Sequence, residues 1–343
     1  MKLRPAVAIA VKFCGREGPA ACIRLWKGAI AATSGTQGIV IAVPDVDVEP
    51  ITVNGAGLKA MLDALGGEAV LSIGKGRKLV IAGTGCQYQL QAIPEANAPD
   101  IPTPAETGWA PITAAQARAL SSLADAVDPN VRGNAALAGL RLTPFWCAAA
   151  SNATAVIATM AIVSRPATAP SQVFAGLDGD GMIALGRQTI WVRTAEQTRW
   201  TLGLNGEWPD QGIEQLLDAA RKGANRVVAA IDLQALAALC KLATAAVTAR
   251  ADPFRLVLEA DRLRLTGGDS GRSHGSRDFD GAMACTTSPG RSEVGVSAFH
   301  LHELLPAIGE REGFISVGAP SDPILAWANS DPKVEVLAMP LHL

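Results

Sequence analysis

The chain has 343 residues and a formal net charge of −2, with 49% hydrophobic, 18% charged and only 4% aromatic residues. The length indicates two or three domains, and the near-neutral charge excludes a wholesale basic nucleic-acid binder without excluding a local basic face. The six cysteines include no CxxC pair, which indicates reduced thiols in a cytosolic protein rather than a zinc ribbon. The apolar stretches at 148–163 and 227–240 are too short or too interrupted to span a membrane.

In chain order, the first clear elements belong to a repeated unit at residues 51–66 and 294–309. Each copy predicts a short alternating strand, a turn, and a helix that ends at Gly66 or Gly309. Two candidate strands follow each copy. No clear helical stretch is predicted before Ile51.

A weaker repeat pairs residues 112–127 with residues 231–247, and both segments predict an Ala-rich helix entered from a strand. The two copies of the weaker repeat are about 120 residues apart, and the two copies of the first repeat are about twice as far apart. This spacing predicts three similar modules. We therefore predict an α+β fold of three modules, at residues 1–106, 107–226 and 227–343.

Several stretches resemble the bacterial sliding clamp, the β subunit of the replicative DNA polymerase. Residues 319–327 and 334–343 resemble the family's closing strands and its terminal Met-Pro-x-Arg-Leu. Residues 205–210 (Asn-Gly-Glu-Trp-Pro-Asp) resemble its Gly-Arg-Phe-Pro-Asp-Tyr turn. Residues 88–94 resemble the ending of its first domain, and residues 132–142 resemble its Arg-x-x-Leu-x-Gly-Val-x-Leu stretch.

The resemblance implies a protein that is not an enzyme and needs no cofactor. Three DNA-clamp modules per chain, with antiparallel sheets outside and helices inside, would close a ring as a head-to-tail homodimer. The ring would encircle double-stranded DNA through weak, sequence-independent contacts. Replicative polymerase and clamp loader would dock through a short apolar peptide between modules two and three. No membrane contact is implied.

Position by position, the resemblance also implies two sets of site residues. The partner-peptide pocket would use Arg132, Leu137, Thr154, Ala155, Trp208, Pro209, Pro323, Ile324, Met339, Pro340, Leu341 and Leu343. The residues that face DNA would be Lys59, Arg118, Lys241, His300 and His302. Without the resemblance, residues 339–343 also fit a buried last strand, and each of these charges fits a solvated helix face.

The sequence departs from the family's pattern in three places. The helix that follows the opening strand of module one looks missing. The second helix of module two also looks missing, because residues 171–180 are short and Gly-rich. The family's Thr-Asp-Gly-His-Arg-Leu stands here as Ser-Asn-Ala-Thr-Ala-Val at residues 151–156, so the peptide specificity of the pocket stays open.

Two alternatives to a replicative clamp remain. The altered residues 151–156 would suit a clamp-like protein that binds clamp partners without supporting replication. Residues 268–271 read Gly-Asp-Ser-Gly, as around a hydrolase nucleophile at Ser270, but no histidine precedes Ser270 and the run reads as a loop. A metal site at His300 and His302 is not predicted, because positions i and i+2 of a helix do not face one another.

Overall fold

The structure is a computed structural model that describes residues 1–66, 68–94, 100–102, 108–128, 131, 134–223, 225–246, 252–268 and 278–341. The helices are α1 (Leu3–Ala10), α2 (Gly55–Leu65), α3 (Ala114–Asp125), α4 (Asp210–Lys222), α5 (Leu233–Thr244) and α6 (Ala298–Leu304). The strands are β1 (Cys22–Trp26), β2 (Ala29–Thr33), β3 (Gln37–Ala42), β4 (Ile51–Asn54), β5 (Val70–Gly74), β6 (Lys78–Gly83), β7 (Cys86–Gln91), β8 (Trp109–Ile112), β9 (Gly139–Leu142), β10 (Cys147–Ala150), β11 (Thr154–Thr159), β12 (Ala167–Pro170), β13 (Gly181–Leu185), β14 (Thr189–Thr194), β15 (Gln197–Leu202), β16 (Val227–Asp232), β17 (Phe254–Glu259), β18 (Arg262–Gly268), β19 (Asp278–Ala284), β20 (Thr286–Thr287), β21 (Arg291–Val296), β22 (Glu312–Val317), β23 (Ile324–Trp327) and β24 (Lys333–Ala338).

The described residues form two compact units. Unit 1 comprises Met1–Ile112 and Asp180–Gly203. Its eight-stranded antiparallel sheet has the order β4-β1-β2-β3-β15-β14-β13-β8, and a second sheet has the order β5-β6-β7. Helices α1 and α2 cover the inner side of these sheets, where Val7 and Leu58 are fully buried in one aliphatic core.

Unit 2 comprises Thr113–Gly179 and Leu204–Leu343. Its larger sheet has nine strands in the order β12-β9-β10-β11-β24-β23-β22-β16-β20. A four-stranded sheet follows the order β19-β18-β17-β21, and all the pairings in both sheets are antiparallel. The fold is therefore α+β with antiparallel sheets, as predicted. Within the described ranges, no helix combines the length and apolar composition needed to cross a bilayer.

The prediction that module one lacks its leading helix is wrong. Residues Leu3–Ala10 form α1, which continues into the 3-10 helix Val11–Phe13. The apolar stripe at Leu3, Ala6, Val7 and Ala10 has helical spacing, and all four residues are buried. Pro5 lies in the first turn, where a missing backbone N–H breaks no intrahelical bond, so it does not prevent the helix. In the described residues, α1 is therefore the first element, and strands β1 to β4 lie between it and α2.

The prediction that residues 171–180 hold no α-helix is confirmed. Residues 171–180 contain only the 3-10 helix Ser171–Val173. Gly176 and Gly179 follow with φ angles of 64° and 85°, a left-handed conformation that ends helical backbone. The chain then enters β13 directly.

Side-chain caps fix the starts of four helices. Asn54 Oδ1 accepts the Gly57 N–H at 2.8 Å at the start of α2. Thr113 forms a complete capping box at α3. The side chains of Asp232 and Ser297 cap α5 and α6 in the same way. Caps of this kind contribute about 1 kcal/mol each, so the sequence sets where these helices begin.

Candidate functional site

One face of the nine-stranded sheet brings together part of the predicted pocket. In the sheet, Ala155 of β11 lies opposite Leu337 of β24, which lies opposite Leu325 of β23. These three side chains form one buried apolar cluster with Leu137 and Trp208. Of the predicted pocket residues, the structure brings Leu137, Ala155 and Trp208 together, and it adds Leu325 and Leu337, which the sequence analysis did not name.

The register separates two predicted residues from this cluster. Thr154 and Ile324 both lie opposite Ala338, one position from the row that contains Ala155 and Leu337. Because side chains alternate along a strand, Thr154 and Ile324 point to the other face of the sheet. Neighbouring residues of a strand point to opposite faces of the sheet. This alternation at residues 324–325 and 336–337 could have identified Leu325 and Leu337.

The remaining predicted residues lie at the rim or elsewhere. Pro209 is exposed, Pro323 is buried, and Met339 and Pro340 are half-buried. The Met339 N–H donates to the Ala153 carbonyl at 2.8 Å, which holds the chain end against β11. Leu341 pairs instead with Gly295 of β21. Arg132 and Leu343 lie outside the described residues.

Trp208 is the anchor of the turn that enters α4. Its indole Nε1–H donates to the Ala136 carbonyl at 2.9 Å, and the ring is buried. Asn134 Nδ2 donates to the Glu207 carbonyl at 2.8 Å, while Asn134 Oδ1 accepts the Ala136 N–H at 3.0 Å. The turn is thus fastened to the 3-10 helix Ala135–Ala138, which carries Leu137.

Helix α4 covers the rest of this face. Ile213, Leu217 and Ala220 recur at helical spacing and are buried in the same cluster as Ile157 and Leu325. The opposite side of α4 is charged and exposed. The apolar floor is therefore occupied by the chain's own Trp208 and α4, with Met339 and Pro340 at its edge.

Ion pairs fix both ends of α4. Arg141 Nε donates to Asp210 Oδ1 at 3.0 Å in the first turn, and Arg221 Nε donates to Glu335 Oε1 at 3.2 Å in the last turn. Glu335 is 0% exposed and also pairs with Lys333 Nζ at 2.9 Å. Two cations thus compensate one buried carboxylate, which would otherwise carry a large desolvation cost.

The predicted DNA-facing residues lie on four helices. Lys59 of α2 is partly exposed, and its Nζ donates to Asp63 Oδ2 at 2.6 Å. This hydrogen bond, with a second from Arg4 Nε at 3.2 Å, holds the pKa of Asp63 below its ordinary value. Two cations share one carboxylate, so this surface of unit 1 keeps a positive balance.

The other candidates differ in accessibility. Arg118 of α3 lies 3.6 Å from Asp178, and both side chains are largely exposed. Lys241 is exposed in the last turn of α5. His300 and His302 of α6 are half-buried, and His302 Nδ1 is a buried atom without a hydrogen-bond partner among the described residues.

Ser270, the candidate hydrolase nucleophile, lies outside the described residues. In the part of the chain that the structure covers, no group of three or more His, Cys, Asp or Glu side chains could hold a metal ion. Cys147 and Cys240 are free thiols, and burial raises the pKa of each to about 12, which keeps them protonated.

The sequence matches no protein-family model and no curated protein. Solved structures give clear matches over the whole chain. The β subunit of a Streptococcus pyogenes DNA polymerase is 12% identical, with a TM-score of 0.81 over 99% of this chain and 97% of that one. The Bacillus subtilis sliding clamp is 11% identical, with a TM-score of 0.80 over 98% and 96%.

A third similar structure is the Helicobacter pylori β clamp bound to a DNA ligase peptide. It is 16% identical, with a TM-score of 0.79 over 99% of this chain and 97% of that one. At these identities the similarity establishes the fold, which is that of the bacterial sliding clamps.

Proposed function

We propose that this chain is a sliding clamp, a processivity factor that encircles duplex DNA and tethers a replicative polymerase. The observation that carries the proposal is the similarity to bacterial clamps over at least 98% of the chain. A fold alone does not fix a function, so the strand pairing and the site must support the proposal independently.

The strand order supports three modules at residues 1–106, 107–226 and 227–343. In the second stretch, β12-β9-β10-β11 form one half-sheet and β8-β13-β14-β15 form another. In the third, β21-β17-β18-β19 and β16-β22-β23-β24 repeat the same two orders. The first stretch gives β4-β1-β2-β3 and β5-β6-β7, and it lacks only a counterpart of β8 and β16.

Both junctions within the chain have the same register, which supports a repeated contact. Gly38 of β3 lies opposite Trp200 of β15 in unit 1, and Ala155 lies opposite Leu337 in unit 2. The N-cap positions give the alignment: Asn54 before α2 corresponds to Pro170 before the 3-10 helix Ser171–Val173, and Thr113 before α3 corresponds to Asp232 before α5. Followed through the strand registers, Gly38 is then equivalent to Ala155, and Trp200 to Leu337. Each junction therefore joins the fourth strand of one half-sheet to the last strand of another.

Applied once more, this rule gives the contact that closes the ring. The corresponding strands left unpaired are β7 and β19, at the free edges of the two smaller sheets. Residues 90–94 and 336–340 end their strands alike, as Leu-Gln-Ala-Ile-Pro and Val-Leu-Ala-Met-Pro, which aligns Gln91 with Leu337. The transferred register places Gln87 opposite the partner's Ala282. Two such contacts, related by a two-fold axis, close a head-to-tail dimer.

Apolar side chains lie where this interface would form. Tyr88 and Leu90 of β7 are half-buried on the inner face. Phe279 of β19 is half-buried on the corresponding side. Leu242, near the end of α5, is 65% exposed. Covering these residues by a partner removes apolar surface from water and hides two strand edges.

A disulfide experiment tests the interface. In a Cys86→Ser background, Gln87→Cys combined with Ala282→Cys should form a covalent dimer when oxidised glutathione is added. Either single variant should stay uncross-linked, and wild type should have the mass of a dimer in solution. A protein that is monomeric at micromolar concentration and does not cross-link would overturn the ring.

A topological experiment tests the function itself. A loaded clamp should stay on nicked circular DNA and should be released when the circle is cut. The contacts to phosphate would come from the partly exposed Lys59 and from the exposed Arg118 and Lys241, so retention should not depend on DNA sequence. Equal loss from circular and linear DNA would contradict encirclement.

Partners would dock at the apolar cluster under Trp208 and α4. The structural relative from H. pylori is bound to a DNA ligase peptide, which supports a peptide site in this fold. Met339→Asp should abolish binding of that peptide and leave the dimer intact. Phe145→Asp, at an exposed aromatic in the same unit, is the matched control. Equal affinity of both variants for the peptide would remove this assignment.

One observation favours a second candidate, a clamp-like protein that binds clamp partners without supporting replication. The floor at Ala155 and Leu337 is covered by the chain's own residues, so a peptide must compete with Trp208 or α4. A primer-extension assay separates the two candidates. Longer products in the presence of the loaded protein support the replicative clamp, and retention on circles without longer products supports the second candidate.

A further inference from the structure

Strand β5 has a free edge that nothing in the described structure covers. Val70–Gly74 pairs with β6 on one side only. Val70 is 69% exposed and Ile73 is 37% exposed. The five residues read Val-Leu-Ser-Ile-Gly, with no charge and no proline. Charges, prolines and covering segments are the usual means by which proteins keep such edges from pairing with another chain.

The other described edge strands have such means. Passing backbone covers three of them. The bonds run from Ile93 N to Thr52 O of β4 (2.8 Å), from Leu204 N to Thr168 O of β12 (2.8 Å) and from Leu341 N to Gly295 O of β21 (2.9 Å). Strand β8 contains Pro111, and β20 has only two residues. Strands β7 and β19 are assigned to ring closure in the proposed function. Of the described edge strands, β5 is therefore left with neither a protecting feature nor an assigned pairing partner.

The same position is filled in the other two modules. Strand β8 pairs antiparallel with β13, where Ile112 lies opposite Gly181. Strand β16 pairs antiparallel with β22, where Val227 lies opposite Val317. Strand β5 takes the place of β13 and β22 in the repeated order. The fold thus accepts an antiparallel strand at this edge.

We propose that the free edge of β5 binds an extended segment of a partner protein, which adds as an antiparallel fourth strand. This inference goes beyond the clamp function and uses the proposed ring only to assign β7 and β19. Backbone hydrogen bonds would give affinity. Side chains alternate along a strand, so the alternating apolar residues of the segment would cover Ile73 on one face of β5, while Val70 lies on the other face beside the polar residues of the segment.

The charges around β5 define the partner segment further. Lys75, Arg77 and Lys78 follow β5, whereas Glu68 precedes it. In an antiparallel pair, the residues on the N-terminal side of the incoming strand lie beside the C-terminal end of β5. The segment therefore carries acidic residues first and alternating apolar residues after them. A second copy of this chain offers only Glu68 against three cations, so it complements the edge less well.

A peptide-binding experiment tests the site. The probe is a fluorescent peptide, Asp-Glu-Asp-Ile-Thr-Val-Thr-Ile, followed by anisotropy. Saturable binding to wild type is expected, with about tenfold weaker binding to Val70→Lys/Ile73→Lys. Leu202→Lys is the matched control, because Leu202 is an exposed leucine of the same unit on another strand, and it should bind as wild type does.

Two altered probes separate strand addition from binding to an apolar patch. The peptide N-methylated at the alternate residues whose N–H groups would face β5 lacks the donors on that edge and should not bind. The reversed peptide, with its acidic residues last, should bind several-fold more weakly. Equal binding of the N-methylated probe, or no saturable binding of the first probe up to about 1 mM, would overturn the proposal.

The outcome is independent of the ring. The Gln87→Cys/Ala282→Cys protein should bind the probe equally before and after oxidation. A failure to cross-link with intact probe binding would reject ring closure and keep the β5 site. Self-association that is lost in Val70→Lys/Ile73→Lys would assign the edge to a second copy and overturn the partner segment.

Discussion

The junction in unit 1 and the junction in unit 2 share a backbone register and differ in the side chains that meet there. In unit 1, the Trp200 ring lies over Gly38, where a Cβ atom would come within 2.1 Å of Cζ2. In unit 2, Ala155 and Leu337 lie under α4, beside the fully buried Glu335. One junction is closed by an aromatic ring against bare backbone, and the other by a helix held through an ion pair.

This difference shows what the repeat conserves. Backbone hydrogen bonds fix which residues face one another, so the register survives when the side chains change. Side-chain volume and charge are then free to vary, provided that each face stays covered. In unit 2, the described residues place α4 over the Ala155 and Leu337 side chains, and the buried cluster there is apolar.

The largest expected effect comes from filling the space at Gly38. Gly38→Ala forces the new methyl group into Trp200 and the Ala32 carbonyl, and it should lower the free energy of unfolding by about 2–3 kcal/mol. Gly212→Ala in α4 is the matched control, because its Cβ meets only Pro209 at 3.9 Å. There a change within about 1 kcal/mol in the stabilising direction is expected. Urea denaturation measures both, and equal effects would show that the Trp200 contact is not tight.

The next effect comes from the ion pair in unit 2. Glu335→Ala leaves Arg221 and Lys333 without their carboxylate, and both cations are about two-fifths exposed, so water can recover part of the loss. A destabilisation of about 2 kcal/mol is expected. Glu259→Ala, at an exposed carboxylate 3.5 Å from Arg291, should cost less than about 0.5 kcal/mol. If both substitutions cost the same, the buried pair does not hold α4.

The smallest effect is a dependence on pH near the junction of unit 2. Cys147 lies in β10, next to β11, and burial raises its pKa to about 12, against an unfolded value near 9.0. The native state keeps this thiol neutral, so its contribution is complete below about pH 9 and is lost as pH rises towards 12. Between about pH 8.5 and 10.5, wild type should lose about 1–2 kcal/mol more than Cys147→Ala. Urea denaturation measures the free energy of unfolding of both proteins against pH. If the two profiles run parallel, the Cys147 thiol ionises in the folded protein as well, which would contradict this prediction.

The sequence was most informative where a pattern is local and repeated. The two copies at 51–66 and 294–309 predicted α2, α6 and their left-handed glycines, because spacing and capping residues act within a few turns. The leading helix was not predicted, although the apolar stripe at Leu3, Ala6, Val7 and Ala10 has helical spacing. The same kind of stripe at 213–220, followed by two basic residues, could have predicted α4.

The candidate site was only partly predictable because its contacts join distant positions. Glu335 sits between Val334 and Val336, where a charge normally faces solvent, and its partner Arg221 is 114 residues away. Leu137 and Trp208 come together through hydrogen bonds between a 3-10 helix and a distant turn. No local spacing encodes such pairs. The sequence analysis thus named some apolar residues of the buried cluster, but it did not predict helix α4, which covers that cluster.

Strand order has a further consequence for the exchange of backbone amides with solvent. Strands β3 and β15 lie in the middle of one eight-stranded sheet, and β11 and β24 in the middle of a nine-stranded one, so their amides open only with the largest cooperative units. The edge amides of β5 face water on one side and exchange first. A deuterium-labelling time course would therefore mark the two junctions as the slowest segments and β5 as the fastest strand, and a bound segment would slow β5 alone.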